Sequence, residues 1–292
     1  MFRTLPFLLL ALFLLPVRAQ TSLQYNLRKG QVFRIKQEAV QQIAQEIEGT
    51  THEITNSIEG ILEFRVLAVR DETYELSVTF KDLQLYMYSS SEGELLDINA
   101  ADTPEGDVQA RIFHSILDIP IHIVLDRSGD VLSVTGGDTL VARMADASGV
   151  EDTFTRELMK ESLERDFGSE ALSNSYEQMT YIYPKNKIRI GDRWKNEYKG
   201  KVSSSNSWIL NALQGGHASI QGEASVMMRL HDAASSMSLT GTRTTEISTE
   251  LSSGFLLAMK VRSQSSGVSA IPQLGSDAIP TTIRSTITYK RI

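Results

Sequence analysis

Five histidines, no cysteine and a scatter of carboxylates are the groups that chemistry would draw on in this 292-residue chain. The stretch "HEITN" (52–56) begins like a zinc-protease helix, in which two histidines four residues apart hold the metal and the glutamate activates water. Asn56 stands where the second histidine is needed, so the ligand pair is missing. Without cysteine there is no thiol nucleophile and no thiolate metal site. The chain has no Gly-x-Ser-x-Gly elbow, no phosphate loop ending in Gly-Lys-Ser/Thr and no Gly-x-Gly-x-x-Gly turn. His122 and His217 fall on polar faces of predicted strands and read as solvated. Asp126 and Asp130 flank the turn Arg127-Ser128-Gly129, and Asp97, Asp102, Glu105 and Asp107 crowd a polar stretch. Neither set has the alternating oxygen ligands of a calcium loop, so both read as turn and loop chemistry. The sequence therefore predicts no catalytic residue, no metal ligand and no cofactor, and the protein reads as a non-enzyme.

Apolar binding is the chemistry that remains. Phe33, Phe80, Met87, Trp194, Trp208, Met228 and Met237 are candidates to line a site for an apolar ligand. Methionine deforms around varied ligands, and a curved sheet covered by helices often leaves a cavity in its mouth. The same side chains also suit plain packing of sheet on helix, and composition does not separate the two.

Period-2 alternation dominates the elements that must position these residues. In "TYELSVTFKDLQLYMY" (73–88), Tyr74, Leu76, Val78 and Phe80 share one face. Past Lys81-Asp82 the apolar parity shifts to Leu83, Leu85 and Met87, which predicts a β-bulge. "HASIQGEASVMMRL" (217–230) puts Ala218, Ile220, Gly222, Ala224, Val226, Met228 and Leu230 on one side. One apolar and one wet face per strand predicts antiparallel sheets. Residues 60–69 read as a strand, with Leu62, Phe64, Val66 and Ala68 on one side. The stretches 121–136 and 248–261 read as hairpins, with Leu132 and Val134 leading out of the first and Ser253-Gly254 turning the second. Residues 281–292 read as a closing strand. The stretch 36–49 has a helical apolar face in Val40, Ile43, Ala44 and Ile47, but its neighbours favour a strand with Ala39, Ile43 and Ile47 inward. Helices are predicted at 138–147 with Asp138 as N-cap, and at 152–168 with Phe154, Leu158 and Met159 on one stripe. Another, capped by Ser169, is predicted over 169–179, and a short one over 108–117 after a polar loop at 89–107.

The chain opens "MFRTLPFLLLALFLLPVRAQ": one arginine, a 13-residue apolar run, then Val17-Arg18-Ala19. That pattern predicts a secretory signal peptide cleaved after Ala19, the run being short of the roughly 20 residues that span a bilayer. A lipid anchor would need a cysteine after the cut, and there is none. A cysteine-free exported chain of this size fits a bacterial periplasm or exterior. Cleavage removes Arg3 and Arg18 and no acid, moving the formal net charge from −7 to −9. With charges interspersed, a basic patch for nucleic acid or anionic lipid is disfavoured. No other stretch is long and apolar enough to cross a membrane as a helix, so the mature chain is expected to carry no membrane span.

Two phrases recur. "NLRKGQVF" (26–33) and "KIRIGDRW" (187–194) both carry an aliphatic residue, an arginine, a glycine, a polar residue and then an aromatic. Either a unit is duplicated or one strand-entry turn is used twice. The predicted organisation is a signal peptide (1–19), a first β-rich unit (20–136), a helical insert (137–183) and a second β-rich unit (184–292). The fold class is mainly β, built of two related curved antiparallel sheets that would form an unclosed barrel.

With the leader, "YNLRKGQVFRIK", "LDRSGDVLSVTG" followed by a helix, and "YPKNKIRIGDRW", the chain resembles an exported bacterial family of unknown function, the one numbered 6263. The resemblance implies export and a β-rich two-part fold, and it implies no activity. In architecture alone the chain is also similar to periplasmic lipoprotein carriers, whose curved sheet is plugged by helices on its open side. Two functions are expected from these readings. One is an exported carrier of an apolar ligand such as lipid. The alternative is a protein–protein interaction or envelope-assembly module that binds an envelope partner through sheet edges or Ser/Thr-rich faces.

Overall fold

The computed structural model describes residues 20–231, 236–271 and 276–292. The expected signal peptide, 1–19, lies outside the described residues. The first part supplies β1 (Val32–Ile47), β2 (Thr50–Val69), β3 (Thr73–Ser89), β4 (Gly93–Asn99), α1 (Val108–His114), β5 (Ile121–Asp126) and β6 (Val131–Thr135). Three helices follow: α2 (Gly137–Ala147), α3 (Thr153–Phe167) and α4 (Ser169–Thr180). The last part supplies β7 (Arg193–Tyr198), β8 (Val202–Gln214), β9 (His217–His231), β10 (Ser236–Glu250), β11 (Leu256–Ile271) and β12 (Ser276–Arg291).

All twelve strands join one antiparallel sheet in the order β6-β5-β3-β2-β1-β12-β11-β10-β9-β8-β7, with β4 paired to β3. The sheet is unclosed, because β6 and β7 end it without pairing to each other. Helix α4 packs against β6 and also reaches β7, so it stands at the seam. Leu140 and Met144 of α2 and Leu172, Tyr176 and Met179 of α4 complete a core with Ile35, Phe64, Leu76, Ile121 and Ile123.

The ambiguous stretch is strand. β1 pairs along its length with β2 on one side and β12 on the other, which outweighs the helix propensity of its glutamines and alanines. Glu48 (φ 52°) and Gly49 (φ 78°) close the β1–β2 hairpin with positive φ at both central residues, as a type I′ turn requires. The bulge lies where the parity shift places it: Ile61 pairs Asp82 and Leu62 pairs Phe80, which leaves Lys81 over. Tyr74, Leu76 and Val78 before it and Leu83 after it are all buried.

Several local expectations are corrected. The stretch 89–107 holds β4 in addition to loop, because Leu96 and Ile98 pair with Met87 and Leu85. A register shift between Val124 and Leu125 turns Leu132 outward, 54% exposed, and leaves Val131 packed on the core beside Val134. α2 is capped by Gly136 in a left-handed conformation, not by Asp138. Asp152 does cap α3, accepting from the Thr155 N–H at 2.8 Å. The Phe154–Leu158 stripe is solvent-facing, 72% and 50% exposed, and α3 packs instead through Leu163 and Phe167. Gly168 caps α4, while Ser169 accepts through Oγ from the Gly137 N–H at 3.2 Å.

Two chain segments cross inside the sheet and tie its halves. Leu23, Tyr25 and Leu27 alternate into the core. The Tyr25 N–H donates to Arg127 O (2.9 Å) and the Asn26 N–H to Ser253 O (2.8 Å), so both Ser-Gly hairpins dock on one segment. The Tyr183 hydroxyl donates to Gly254 O at 2.5 Å. Phe33 stacks on Phe255 with ring centroids 3.9 Å apart, and Phe64 meets Phe255 edge-on at 5.5 Å.

Candidate functional site

The seven apolar candidates separate along the strands. Phe33 and Trp208 are core residues. The Trp208 indole donates to Asn196 Oδ1 at 2.8 Å and lies so close under Gly222 that a Cβ there would sit 2.4 Å from its ring. Trp194 faces Trp208 in register, is partly buried, and donates to Ile182 O at 3.0 Å. Phe80 is partly buried against the core at the bulge. Met87, Met228 and Met237 lie farther along the inner face and are half-buried. Met87 pairs with Asn56, Met228 with Leu239, and Met237 with Leu230. The structure thus groups the aromatic candidates under the helices and the methionines beyond them.

Strand register makes the inner face a series of rows. One row crosses eight strands: Asn56, Gln41, Ser285, Ser263, Arg243, Ala224, Asn206, Asn196. Every member except Ala224 is polar. Asn56 donates to Gln41 at 3.3 Å, Ser263 and Ser285 share a bond of 2.8 Å, and Asn206 donates to Asn196 at 3.0 Å. On β1, β2 and β3 this row is flanked by Ile43, Ile54, Ile58, Leu85 and Met87, none of them fully buried. Ile58 faces inward between Ala39 and Leu85 and is still 39% exposed.

Arg243 is the row's outlier. Its Nε is buried and has no hydrogen-bond partner, and no carboxylate is among the groups that shift its pKa. Burial lowers its pKa, while the Tyr198 and Tyr289 hydroxyls act the other way. Burial pushes Tyr289 up to about 12 against the pull of the Arg243 charge. Burial also raises Tyr176, whose hydroxyl is buried without a partner. The signal for Arg243 in the sequence is one cation at inward parity in "LTGTRTTEI", between Leu239 and Ile247, which are both buried.

Among the described residues no three His, Asp or Glu side chains gather as a metal group. Asp126 Oδ1 accepts from the Ser128 N–H (2.7 Å), the Ser128 hydroxyl (2.7 Å) and the Asp130 N–H (3.1 Å), so it closes its own turn. Asp107 caps α1 through the Ala110 N–H. A depression of about 930 Å³ lies on the outer face and is bordered by Lys36, Glu38, Gln221, Glu246, Lys260 and Lys290. No described helix is long and apolar enough to cross a membrane.

An unclosed antiparallel sheet, wrapped on a helical insert and bearing a half-open inner face, defines the class of this protein. It belongs to the Family of unknown function (DUF6263), whose model matches residues 71–256. No curated protein sequence matches the chain. Among solved structures it is similar to lipovitellin, in a structure concerned with lipid–protein interactions, at TM-score 0.53 and 9% identity over 91% of this chain and 25% of that one. The chain thus spans about a quarter of the lipovitellin chain, and the likeness is one of fold. An outer membrane channel from Pseudomonas putida F1 aligns over 92% of this chain and 97% of its own, at 8% identity and a TM-score of only 0.24.

Proposed function

We propose that this protein is an exported, non-catalytic carrier of an apolar ligand such as lipid. The observation that carries the reading is the inner face beyond the helices, where Ile43, Ile54, Ile58, Leu85 and Met87 point into the curve of the sheet and keep solvent exposure. Inward apolar area left wet is costly, at about 25 cal/mol per Å², and a bound acyl chain would remove that cost. The lipovitellin-like fold agrees with this use of a sheet face. Native mass spectrometry of the purified protein, with analysis of extracted lipid, tests it. Reproducible co-purifying lipid is expected, and a clean protein that takes up no lipid on incubation sinks the reading.

One observation favours the interaction-module reading. The outer face of β8 to β10 presents Ser203, Ser205, Ser225, Thr240, Thr242 and Thr244 around shallow depressions of about 680 and 430 Å³. Such hydroxyl-rich surface suits a polar partner. Substituting Thr242 and Thr244 with lysine separates the two: the carrier keeps its lipid, while a module loses its envelope partner.

A further inference from the structure

Several arginines of this sheet are partnered by carboxylates. Arg34 and Arg65 hold Glu63, Arg262 holds Glu246 and Arg291 holds Glu250. Arg243, the cation of β10, faces inward instead, and no described carboxylate meets it. Leaving a desolvated guanidinium unpaired is costly, and the low dielectric that makes it costly also strengthens its attraction for an anion. Two hydroxyls accompany it. The Tyr176 hydroxyl on α4 is buried without a partner, and burial raises the Tyr289 hydroxyl against the pull of the Arg243 charge. Tyr289 stands on the inner face of β12, four residues beyond the Ser285 that shares a row with Arg243, and its hydroxyl bears on the pKa of both Arg243 and the Tyr176 of α4. A guanidinium without a carboxylate partner, beside hydroxyls able to donate, describes the complement of an oxyanion.

The apolar stretch begins in the same row. From Arg243, register runs through Ser263 and Ser285 to Gln41, three strand spacings or about 14 Å away, and then to Asn56 and Met87. Ile43 and Ile58 stand on either side of that path. We propose that the ligand is an anionic amphiphile. Its acidic head group sits on Arg243 with Tyr176 and Tyr289 donating to it, and its acyl tail runs over Ile43, Ile58 and Met87. The inference rests on the carrier reading and names its ligand class.

The test is calorimetric titration of lipid-stripped protein with three probes: palmitate, 1-palmitoyl lysophosphatidic acid and hexadecanol. Wild type is expected to bind both anions, and the tighter one distinguishes a carboxylate from a phosphate head. Arg243→Met should weaken binding of the anions about tenfold or more and leave hexadecanol unchanged. Tyr289→Phe should weaken the anions by a smaller factor, and serves as the second handle if Arg243→Met does not fold. Hexadecanol binding as tightly as palmitate, or an Arg243→Met protein that binds palmitate like wild type, overturns the proposal and leaves the carrier standing. If none of the three probes binds, the carrier reading falls as well.

Discussion

Gly30 and Gly191 hold the same position in two copies of one turn. Both have positive φ, 85° and 91°. Each donates its N–H to a carbonyl of a neighbouring strand, Val66 O at 2.9 Å and Leu210 O at 2.7 Å. Two residues earlier, the Arg28 N–H donates to Gln31 Oε1 (2.7 Å) and the Arg189 N–H to Asp192 Oδ2 (2.9 Å). The recurring phrase is therefore a physical unit. The glycine takes the left-handed conformation, the polar residue closes the turn, and the aromatic enters the strand facing inward. The strand order repeats with it: β6-β5-β3-β2-β1 on one side of β12, β11-β10-β9-β8-β7 on the other.

Around both glycines the space that a methyl group would fill is empty out to 4 Å, so only backbone strain opposes a side chain there. Gly30→Ala and Gly191→Ala should each cost about 1 kcal/mol. Gly129 has the same hand of φ, 91°, but a Cβ there would lie 1.9 Å from Thr180 O. Gly129→Ala should cost well over twice as much, since the hairpin must leave α4. Urea unfolding midpoints at matched m-values rank the three.

Gly222 and Trp208 form a coupled pair across β8 and β9. The indole occupies the space a side chain would take. Gly222→Ala should destabilise by about 1–3 kcal/mol through overpacking. In a Trp208→Leu background the same change should cost much less, and a double-mutant cycle reads the difference. Additive costs would mean that the ring does not lie over Gly222.

Glu250 makes stability acid-sensitive at the second Ser-Gly hairpin. Hydrogen bonds from Ser253 and Arg291 hold its pKa down at about 2. A carboxylate lowered on folding stabilises the folded state above its ordinary pKa, and that contribution is lost as pH falls toward 2. Glu250→Gln should remove about 1 kcal/mol at neutral pH, after solvent screening, and flatten the decline of thermal stability between about pH 4.5 and 2. Melting curves across that window check both the sign and the range.

The alternation of apolar residues makes most strands legible, and the parity shift at Lys81 makes even the bulge legible. β1 is harder because Gln37, Gln41 and Gln45 share its inward face with Ala39, Ile43 and Ile47, which blurs period 2 into period 3.6. β4 is hidden in an acidic, glycine-containing stretch whose pairing with β3 is a tertiary fact. The candidate site is legible in kind only. Phe33 and Trp208 are apolar enough to line a ligand, but their depth depends on Phe255 and Asn196, distant in sequence. Arg243 is surrounded by threonines, and its inward parity shows only once Leu239 and Ile247 are known to be the buried positions of that strand.

α3 shows the same limit from the other side and yields the last prediction. Phe154 and Leu158 are spaced one turn apart and read as a packing stripe, yet both face solvent, while Leu163 and Phe167 meet the core. Helix α3 has no fully buried residue; Leu163 and Phe167 dock its C-terminal half, and in its N-terminal half Arg156 pairs with Asp146 of α2. Phe154→Ser and Leu158→Ser should each change stability by less than about 0.5 kcal/mol, as surface substitutions do. Phe167→Ala should cost about 2 kcal/mol or more, since it removes the edge contact with Phe113 at 6.1 Å along with buried area. Asp152→Ala should fall between, at about 1 kcal/mol, by leaving the Thr155 N–H without its acceptor. Thermal melts of the four variants establish the order, and a large loss at Phe154 would place the N-terminal half of α3 against the body of the protein.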